Sequence, residues 1–547
     1  MIVDGRTVTQ DDVLRFDVCV IGAGPVGMLV ARHLAGKGMR VSLLERGDED
    51  SGHRRTPTAR TGGLDYDVGG SRGFGLGGTA NKWVLRTPWG DRLARFRELD
   101  EDDFAPRDWV PHSGWPFDKS ELRPFYDLAW SSLDSGLRGV PDALCSHATG
   151  MNPFQDRDGI IQQCLFVLAP PIFTTRLTAD LGSSASATVL TNSTVVDIRC
   201  DASASHVSSV RVATQRHSGF SVEARVFILA AGGIENPRML LASRSRHRDG
   251  LGNGHGLVGR FFMEHPLFVS GVLRPKDFTV FDDPTSYDPH LHDDIVVRMD
   301  YVLHDDVVRR ERLLRSYFVF EHSFLNARTR RIYASESAAR SLRAAANVRA
   351  ALMGRARASN IAEETRRAAL GSHHIARFGF ELTGEKVLRR LNPHHRGPRV
   401  FRIHALAEQV PDPNNRVRLI HAKDEFGVPM ARLDWRLTDQ DVDSYARSQD
   451  QLAERLVAAG HESIDSLVKR NSLPPALLGA HHHMGTTRMS DDPRGGVVDR
   501  NSLVHGVDNL YVTGTSVFPT GGYANPTLTA MALALRVAHH CESAVVS

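Results

Sequence analysis

Phe16-Asp17-Val18-Cys19-Val20-Ile21-Gly22-Ala23-Gly24-Pro25-Val26-Gly27 is the stretch that decides the fold. Phe16 to Ile21 is an apolar run with β-branched residues, short enough for a buried parallel strand. Met28 to Leu34 then reads as a helix, Gly36-Lys37-Gly38 breaks it, and Met39 to Leu44 is a second strand ending on Glu45. This is a βαβ unit with G-x-G-x-x-G at its first turn and an acid 23 residues after Gly22. Gly22 permits the tight turn, Gly24 lets the backbone approach a pyrophosphate, and Gly27 lets the helix pack close to the strand. The free N–H groups of the helix N-terminus face the phosphates. Glu45 stands where a carboxylate can accept hydrogen bonds from both ribose hydroxyls, and it would repel a 2′-phosphate.

Two further strand signals lie far downstream. Ala224 to Gly233 is a buried run ending in small residues, and Val504 to Gly514 is another, followed by an apolar helix over Thr527 to Ala538. A nicotinamide dehydrogenase usually completes its nucleotide fold in one stretch. Here the fold is split into at least three pieces, which favours FAD over NAD. The fold class expected is α/β, a Rossmann-type domain split along the chain with an α+β substrate domain built on a sheet. The boundaries read as 1–115, 171–275 and 471–547 for the nucleotide domain, 116–170 for a connecting segment, and 276–470 for the substrate domain.

The rest of the chain narrows the class. Its 547 residues suggest about two to four domains. Hydrophobic residues at 41% and charged residues at 24% give ample core material. Lys+Arg 67 against Asp+Glu 64 leaves a formal charge of +3, too balanced for nucleic acid or an anionic membrane as the main partner. No apolar run approaches the roughly 18–20 residues that span a bilayer. The polar, acidic start MIVDGRTVTQDDVLRFD lacks the pattern of a secretory signal, so a cytoplasmic protein is expected. The five cysteines, Cys19, Cys145, Cys164, Cys200 and Cys541, are scattered and without C-x-x-C spacing, which offers neither a disulfide framework nor a zinc site. Ser335 to Ala369, with seven arginines against three glutamates, reads as a solvated helical insertion.

Taken together, DVCVIGAGPVGM with LLERG, GLGGTANKW (75–83), ILAAGGIENPRMLLAS (228–243), VGRFFMEHP (258–266) and the block from HHHMGTTRM to GGYANPTLTAMALALRVAHH resemble the glucose–methanol–choline (GMC) family of flavin oxidoreductases. The resemblance runs over most of 12–275 and 400–547 and is weak across 276–400. The wording of 77–83 and 522–527 is most similar to the branch holding pyranose oxidases and bacterial glycoside oxidases. It implies that Gly77, Gly78, Thr79, Asn81 and Lys82 wrap the flavin and pyrophosphate. Further FAD contacts are implied at Arg46, Val195, Ala231, Gly514, Asn525, Pro526 and Thr527. In some pyranose oxidases the position of Lys82 is a histidine bonded to the flavin, so the lysine implies non-covalent FAD. The neighbouring Val84 also departs from a polar residue common in that branch.

Family members take a hydroxyl proton and pass a hydride from carbon to flavin N5, which requires a base and a second polar group on the hydroxyl oxygen. The family's H-x-x-G-T pattern is met by His482-His483-Met484-Gly485-Thr486, and its second residue falls on Asn525, 43 positions later. His481 and His483 remain alternatives for the base. The implied reaction is oxidation of a pyranose or glycoside ring hydroxyl at C2 or C3, with O2 or another electron acceptor. Oxidation of a primary alcohol, such as an aminosugar hydroxymethyl, is the alternative. The polar loop 282–294 is the expected substrate side. Two other classes compete. Gly69-Gly70-Ser71-Arg72-Gly73 matches the hydrolase G-x-S-x-G, although the glycines after it do not suit the helix that a nucleophile elbow needs. His290-Leu291-His292-Asp293-Asp294 hints at a metal but lacks a convincing further ligand set, so no metal is expected.

Overall fold

The computed structural model describes residues 1–49, 59–83, 85–87, 90–133, 161–169, 172–215, 218–274, 290–292, 295–323, 341, 344–345, 348, 361–373, 376, 400–458 and 463–546. Val84, most of the loop 282–294 and much of 335–369 lie outside them. The run singled out first becomes the strand Val13–Ile21, whose last four residues are buried. It pairs in parallel with Val41–Leu44 on one side and Ser218–Leu229 on the other. Ala187–Thr191 and then Ile2–Asp4 extend the sheet outward beyond Val41–Leu44. Leu510–Val512 joins the far end of Ser218–Leu229, also in parallel. The registers set Leu190, Leu44, Ile21, Leu229 and Val512 side by side. All these strands therefore end at one edge, where open α/β sheets bind ligands.

Two sequence expectations shift. The strand expected over 504–514 contracts to Leu510–Val512. Its first half is a turn at Gly506, with φ +78°. The physical reason is a fork: the antiparallel strand Val207–Gln215 already pairs with the first half of Ser218–Leu229. Asn509 fills the gap. Its Oδ1 accepts from Val207 N at 2.8 Å, and its Nδ2 donates to the carbonyls of Val207 at 2.9 Å and Arg225 at 3.0 Å. The C-terminal helix runs from Thr527 on to Val546, beyond the expected Ala538. Buried Cys541 and Val545 continue its apolar face, and Glu542 meets His33 at 2.7 Å.

A second, antiparallel sheet is built from Ser463–Ser466, Pro266–Arg274, Val400–Ala407, Ser316–Ser323, Ile295–Leu303, Ile161–Ala169, Gly90–Phe96 and Leu85–Thr87, in that order. The helix Asp439–Ala458 covers it, with Tyr445 against Phe268 at 5.2 Å. A small third sheet joins Arg416–Lys423, Pro429–Trp435 and Ala59–Gly63. The fold is therefore mixed α/β, a Rossmann-type layer beside a sheet-based one. Among the described residues no helix is long and apolar enough to cross a membrane.

The helix Pro25–Gly36 starts at Gly24 without a side-chain cap, so its first N–H groups are not taken by a side chain. A Cβ on Gly27 would stand 1.9 Å from the carbonyl oxygen of Gly22, whereas one on Gly24 meets nothing within 4 Å. Gly27→Ala should accordingly lower the melting temperature, at about 1–3 kcal/mol for forced overpacking. Gly24→Ala should leave the melting temperature of the flavin-free protein unchanged and weaken only what the turn binds. Equal losses of stability in the two variants would contradict these roles.

Candidate functional site

A cavity of about 610 Å³ opens along the carboxyl edge of the parallel sheet and continues under the antiparallel one. Of the expected cofactor residues, Gly22, Gly24, Glu45, Arg46, Gly78, Thr79, Lys82, Val195, Ala231, Gly514, Asn525, Pro526 and Thr527 line it. Gly27, Gly77 and Asn81 stand behind its wall. Gly77 has φ +88° and its N–H donates to the Ala23 carbonyl at 2.9 Å, which stitches its loop to the first turn. Asn81 Nδ2 donates to the carbonyl of Leu76 at 2.7 Å and so holds its own loop. Lys82 Nζ reaches the carbonyls of Gly70 and Arg72. Arg46 lies 5.2 Å from the rings of both Phe74 and Phe426, and pairs with Asp424 and Glu425.

Glu45 does more than its sequence position suggests. Its Oε2 accepts from Ala23 N at 2.9 Å, and its Oε1 from Gly47 N and Gly75 N, both at 2.8 Å. One carboxylate thus closes three backbone segments around the cavity, and Oε2 keeps acceptor capacity for a further donor. Burial raises its pKa against the pull of those three N–H groups.

The cavity also holds buried polar atoms with no protein partner: Thr194 Oγ1, Thr513 Oγ1 and Asn525 Oδ1. Orphaned acceptors of this kind are costly unless a ligand or water meets them. With the uncapped helix start and the open space at Gly24, the residues present fit FAD: a diphosphate at the turn and a polar ring edge near Asn525.

At the far end the structure brings His482 and Asn525 together, Asn525 Nδ2 lying 3.2 Å from His482 Nε2. The three adjacent histidines separate because the backbone twists at His481, with φ +67°, and then forms a bridge between Met484 and Met263. His483 turns into an aromatic box with Tyr66 and Phe262. Its Nε2 meets the Tyr66 hydroxyl at 2.8 Å, and that hydroxyl in turn donates to Glu264. The Tyr66 hydroxyl thus occupies His483 Nε2 and holds that ring away from Asn525. His481 is the most exposed of the three, its ring near Tyr66. His482 is held well below the usual imidazole pKa, first by burial and then by His265, His481, His483 and Arg95. It is neutral at pH 7, as a base requires.

Sequence reasoning quoted MEHP but gave Glu264 and His265 no role. Glu264 is fully buried and its Oε1 accepts from His482 N at 2.7 Å and His265 N at 2.8 Å. Burial pushes its pKa up to about 7. The detectable signal was a Glu-His pair inside an apolar segment, since buried charges are rare without a task. Arg95 and Tyr317 were also missed. They line the cavity, and Arg95 donates to the Tyr317 hydroxyl at 2.8 Å.

The competing chemistries find different surroundings. Ser71 sits in a turn with neither a strand directly before it nor a helix directly after it, and its hydroxyl donates to the Val68 carbonyl at 3.0 Å. That is not a nucleophile elbow. Among the described residues no cluster of His, Cys, Asp and Glu could hold a metal ion.

Residues 17–247 match the FAD dependent oxidoreductase family and residues 411–534 match the GMC oxidoreductase C-terminal domain. Paromamine 6′-oxidase of Streptomyces fradiae is 26% identical, across 98% of this chain and 93% of that protein. 2-Methyl-1,2-propanediol dehydrogenase of Mycolicibacterium austroafricanum is 23% identical, across 95% and 94%. C-glycoside 3-oxidase of Arthrobacter globiformis reaches 36% identity, over 126 residues that make up 23% of each protein. Among solved structures, a pyridoxine 4-oxidase superposes with a TM-score of 0.57 at 16% identity, covering 96% of this chain and 99% of that one. A formate oxidase gives 0.56 at 16% identity, covering 98% and 99%. At such identity these two show the fold.

Glu45→Ala would strip an acceptor from three N–H groups, each costing about 1–3 kcal/mol if left buried and unmet. The variant should elute from gel filtration in FAD-free buffer with reduced flavin per chain. Full occupancy would remove Glu45 from cofactor binding.

Proposed function

The chain is a GMC oxidoreductase that uses FAD to oxidise CH–OH groups of alcohols or sugars, and from that premise we propose that it oxidises a secondary ring hydroxyl of a pyranose sugar or glycoside, at C2 or C3, to a ketone. The observation that carries the chemistry is the pair of His482 Nε2 and Asn525 Nδ2 at the cavity. A hydroxyl that replaces their mutual contact gives its proton to Nε2, while Asn525 Nδ2 turns its donor to the oxygen and fixes the carbon's orientation. When bound, FAD supplies the acceptor for the hydride. Electrons then pass to O2 or another acceptor.

Two observations favour a sugar. Arg95 and Tyr317 share the cavity wall with His482 and offer donors to neighbouring hydroxyls, while Leu267 and Leu406 give an apolar face for a pyranose ring. A site built to hydrogen-bond hydroxyls discriminates strongly against analogues lacking them. The chain is also 36% identical to a C-glycoside 3-oxidase over 126 residues. The second reading, a primary alcohol on an aminosugar, draws on the full-length likeness to paromamine 6′-oxidase. In both readings the substrate side is formed from the antiparallel sheet, whose strands come from 276–470 and also from Leu85–Thr87, Gly90–Phe96, Ile161–Ala169 and Pro266–Arg274, and FAD is held non-covalently with Lys82 in the histidine's place.

Anaerobic mixing with glucose or aryl glycosides should bleach the flavin, and NMR should identify a keto-sugar. An aldehyde product would favour the second reading; bleaching by simple aliphatic alcohols or sterols alone would sink both. Acid precipitation should release the flavin into the supernatant, and flavin retained in the pellet would overturn non-covalent binding.

His482→Ala should slow flavin reduction by roughly two to four orders of magnitude, and Asn525→Ala should slow it with FAD retained. Because only neutral His482 accepts the proton and its pKa is depressed, the rate should stay level as pH falls through 6.5 and drop only below it. An acid limb centred at or above 6.5 would contradict this environment.

A further inference from the structure

We propose that His265 is a positioning residue that fixes the tautomer of His482, so that the lone pair of His482 Nε2 faces the reacting hydroxyl. The inference rests on His482 being the base. Its starting point is a donor that cannot change role: an amide nitrogen only donates. Asn525 Nδ2 faces His482 Nε2 at 3.2 Å, so Nε2 is the lone-pair nitrogen and the ring proton is on Nδ1. His482 Nδ1 lies 2.9 Å from His265 Nδ1. That nitrogen must accept, which leaves the proton of His265 on its Nε2. The Nε2 edge is turned toward the backbone of Gly521 and Gly522, in the loop that leads to Asn525. One chain of proton positions thus runs from Asn525 through both rings and ends at His265 Nε2, which faces that loop.

The arrangement is built rather than incidental. A single atom, Glu264 Oε1, accepts the backbone N–H of both His265 and His482. The two peptide groups are clamped to one point, so the separation of the rings is set by the backbone. The rings lie 4.9 Å apart and nearly perpendicular, at 88°. His265 is 1% exposed, and its Nε2 meets no partner at hydrogen-bonding geometry. A purely space-filling role would be served at lower cost by an apolar side chain, which leaves no buried N–H unmet.

Burial keeps His265 neutral. Burial holds its pKa down to about 4, against the pull of Glu408, a buried carboxylate already paired with Arg107. On the other side of His482 stand His481, His483 and Arg95, which also disfavour added positive charge. His265 therefore stays neutral while His482 works. If the tautomer were reversed, Nε2 would carry a proton, and no base would face the substrate.

The test compares His265→Leu with His265→Asn, whose side-chain oxygen can still accept from His482 Nδ1. Flavin reduction by an aryl glycoside, or by the primary alcohol that bleaches the flavin if glycosides do not, is followed from acidic to mildly alkaline pH. Flavin content and melting temperature are recorded alongside. His265→Leu should lower the limiting rate about 10–100-fold, the range seen when the partner that fixes the tautomer of a metal-ligating histidine is lost. KM should change little. His265→Asn should recover most of the rate. A wild-type rate in His265→Leu overturns the proposal, as does an Asn variant as slow as Leu with flavin content and melting temperature intact. Nitrogen-15 histidine spectra of the wild-type holoenzyme, with the His482 signals assigned by their loss in His482→Gln, give a test that no variant's folding can spoil. The Nδ1–H form is expected, and an Nε2–H form overturns the proposal. His482→Ala in the same assay separates the two readings. If it reduces flavin normally, the base assignment fails. If it is crippled while His265→Leu is not, only the role of His265 fails.

Discussion

The structure depends on the parallel pairing of Val13–Ile21 with Ser218–Leu229. Two segments some two hundred residues apart in sequence form the centre of the sheet, each buried over its last four residues, and the elements around the cavity are placed against them. Leu510–Val512 docks on the free end of Ser218–Leu229, which brings Gly514 and the loop to Asn525 beside the first turn. The close approach of Gly27 to Gly22 then fixes the helix whose start the cavity needs. Break the central pairing and both ends of the cavity lose their supports at once.

The chemical end has its own anchor in Glu264. A carboxylate fully withdrawn from water is expensive, and three donors on it offset the cost: the Tyr66 hydroxyl and the N–H groups of His265 and His482. Its pKa is raised toward 7 while that of His265 is lowered toward 4. Their effects on stability oppose each other. Between about 4.5 and 6.5 the native carboxyl holds a proton that the unfolded one releases, so stability from Glu264 falls as pH rises. Over the same window the unfolded His265 binds a proton the native ring refuses, so stability from His265 rises as pH rises. The two opposing contributions let the pair stay buried together across that window.

Much of this was legible in the sequence where the signal was local. The strand, turn, helix and second strand of residues 13–44 follow from apolar runs and glycines that allow few alternatives. His482 and Asn525 were legible only through a family pattern, because nothing local says that residues 43 apart meet. Their meeting depends on the Met263–Met484 bridge and on the turn before Leu510, both of them long-range. The shortened strand at 504–509 was misjudged because its pairing edge was already occupied by Val207–Gln215, a competition that no window around Val504 contains. Arg95 and Tyr317 were unreadable for the same reason: each is an ordinary strand residue until the antiparallel sheet curves over the cavity.

That division has a consequence for how such an enzyme can vary. The proposed base, His482, and its partner Asn525 come from the C-terminal segment of the nucleotide fold, whereas Arg95, Tyr317, Leu267 and Leu406 come from the antiparallel sheet. Changes on the sheet can alter which hydroxyl enters without disturbing the proton positions around His482, since the contacts that set those positions are made by Glu264, His265 and Asn525. His265 is the exception that ties the two layers. It lies immediately before the strand Pro266–Arg274 of the antiparallel sheet, and its ring meets His482 in the other layer. A shift of that strand would be felt directly at the base, so the substrate wall is free to change except where Pro266 begins it.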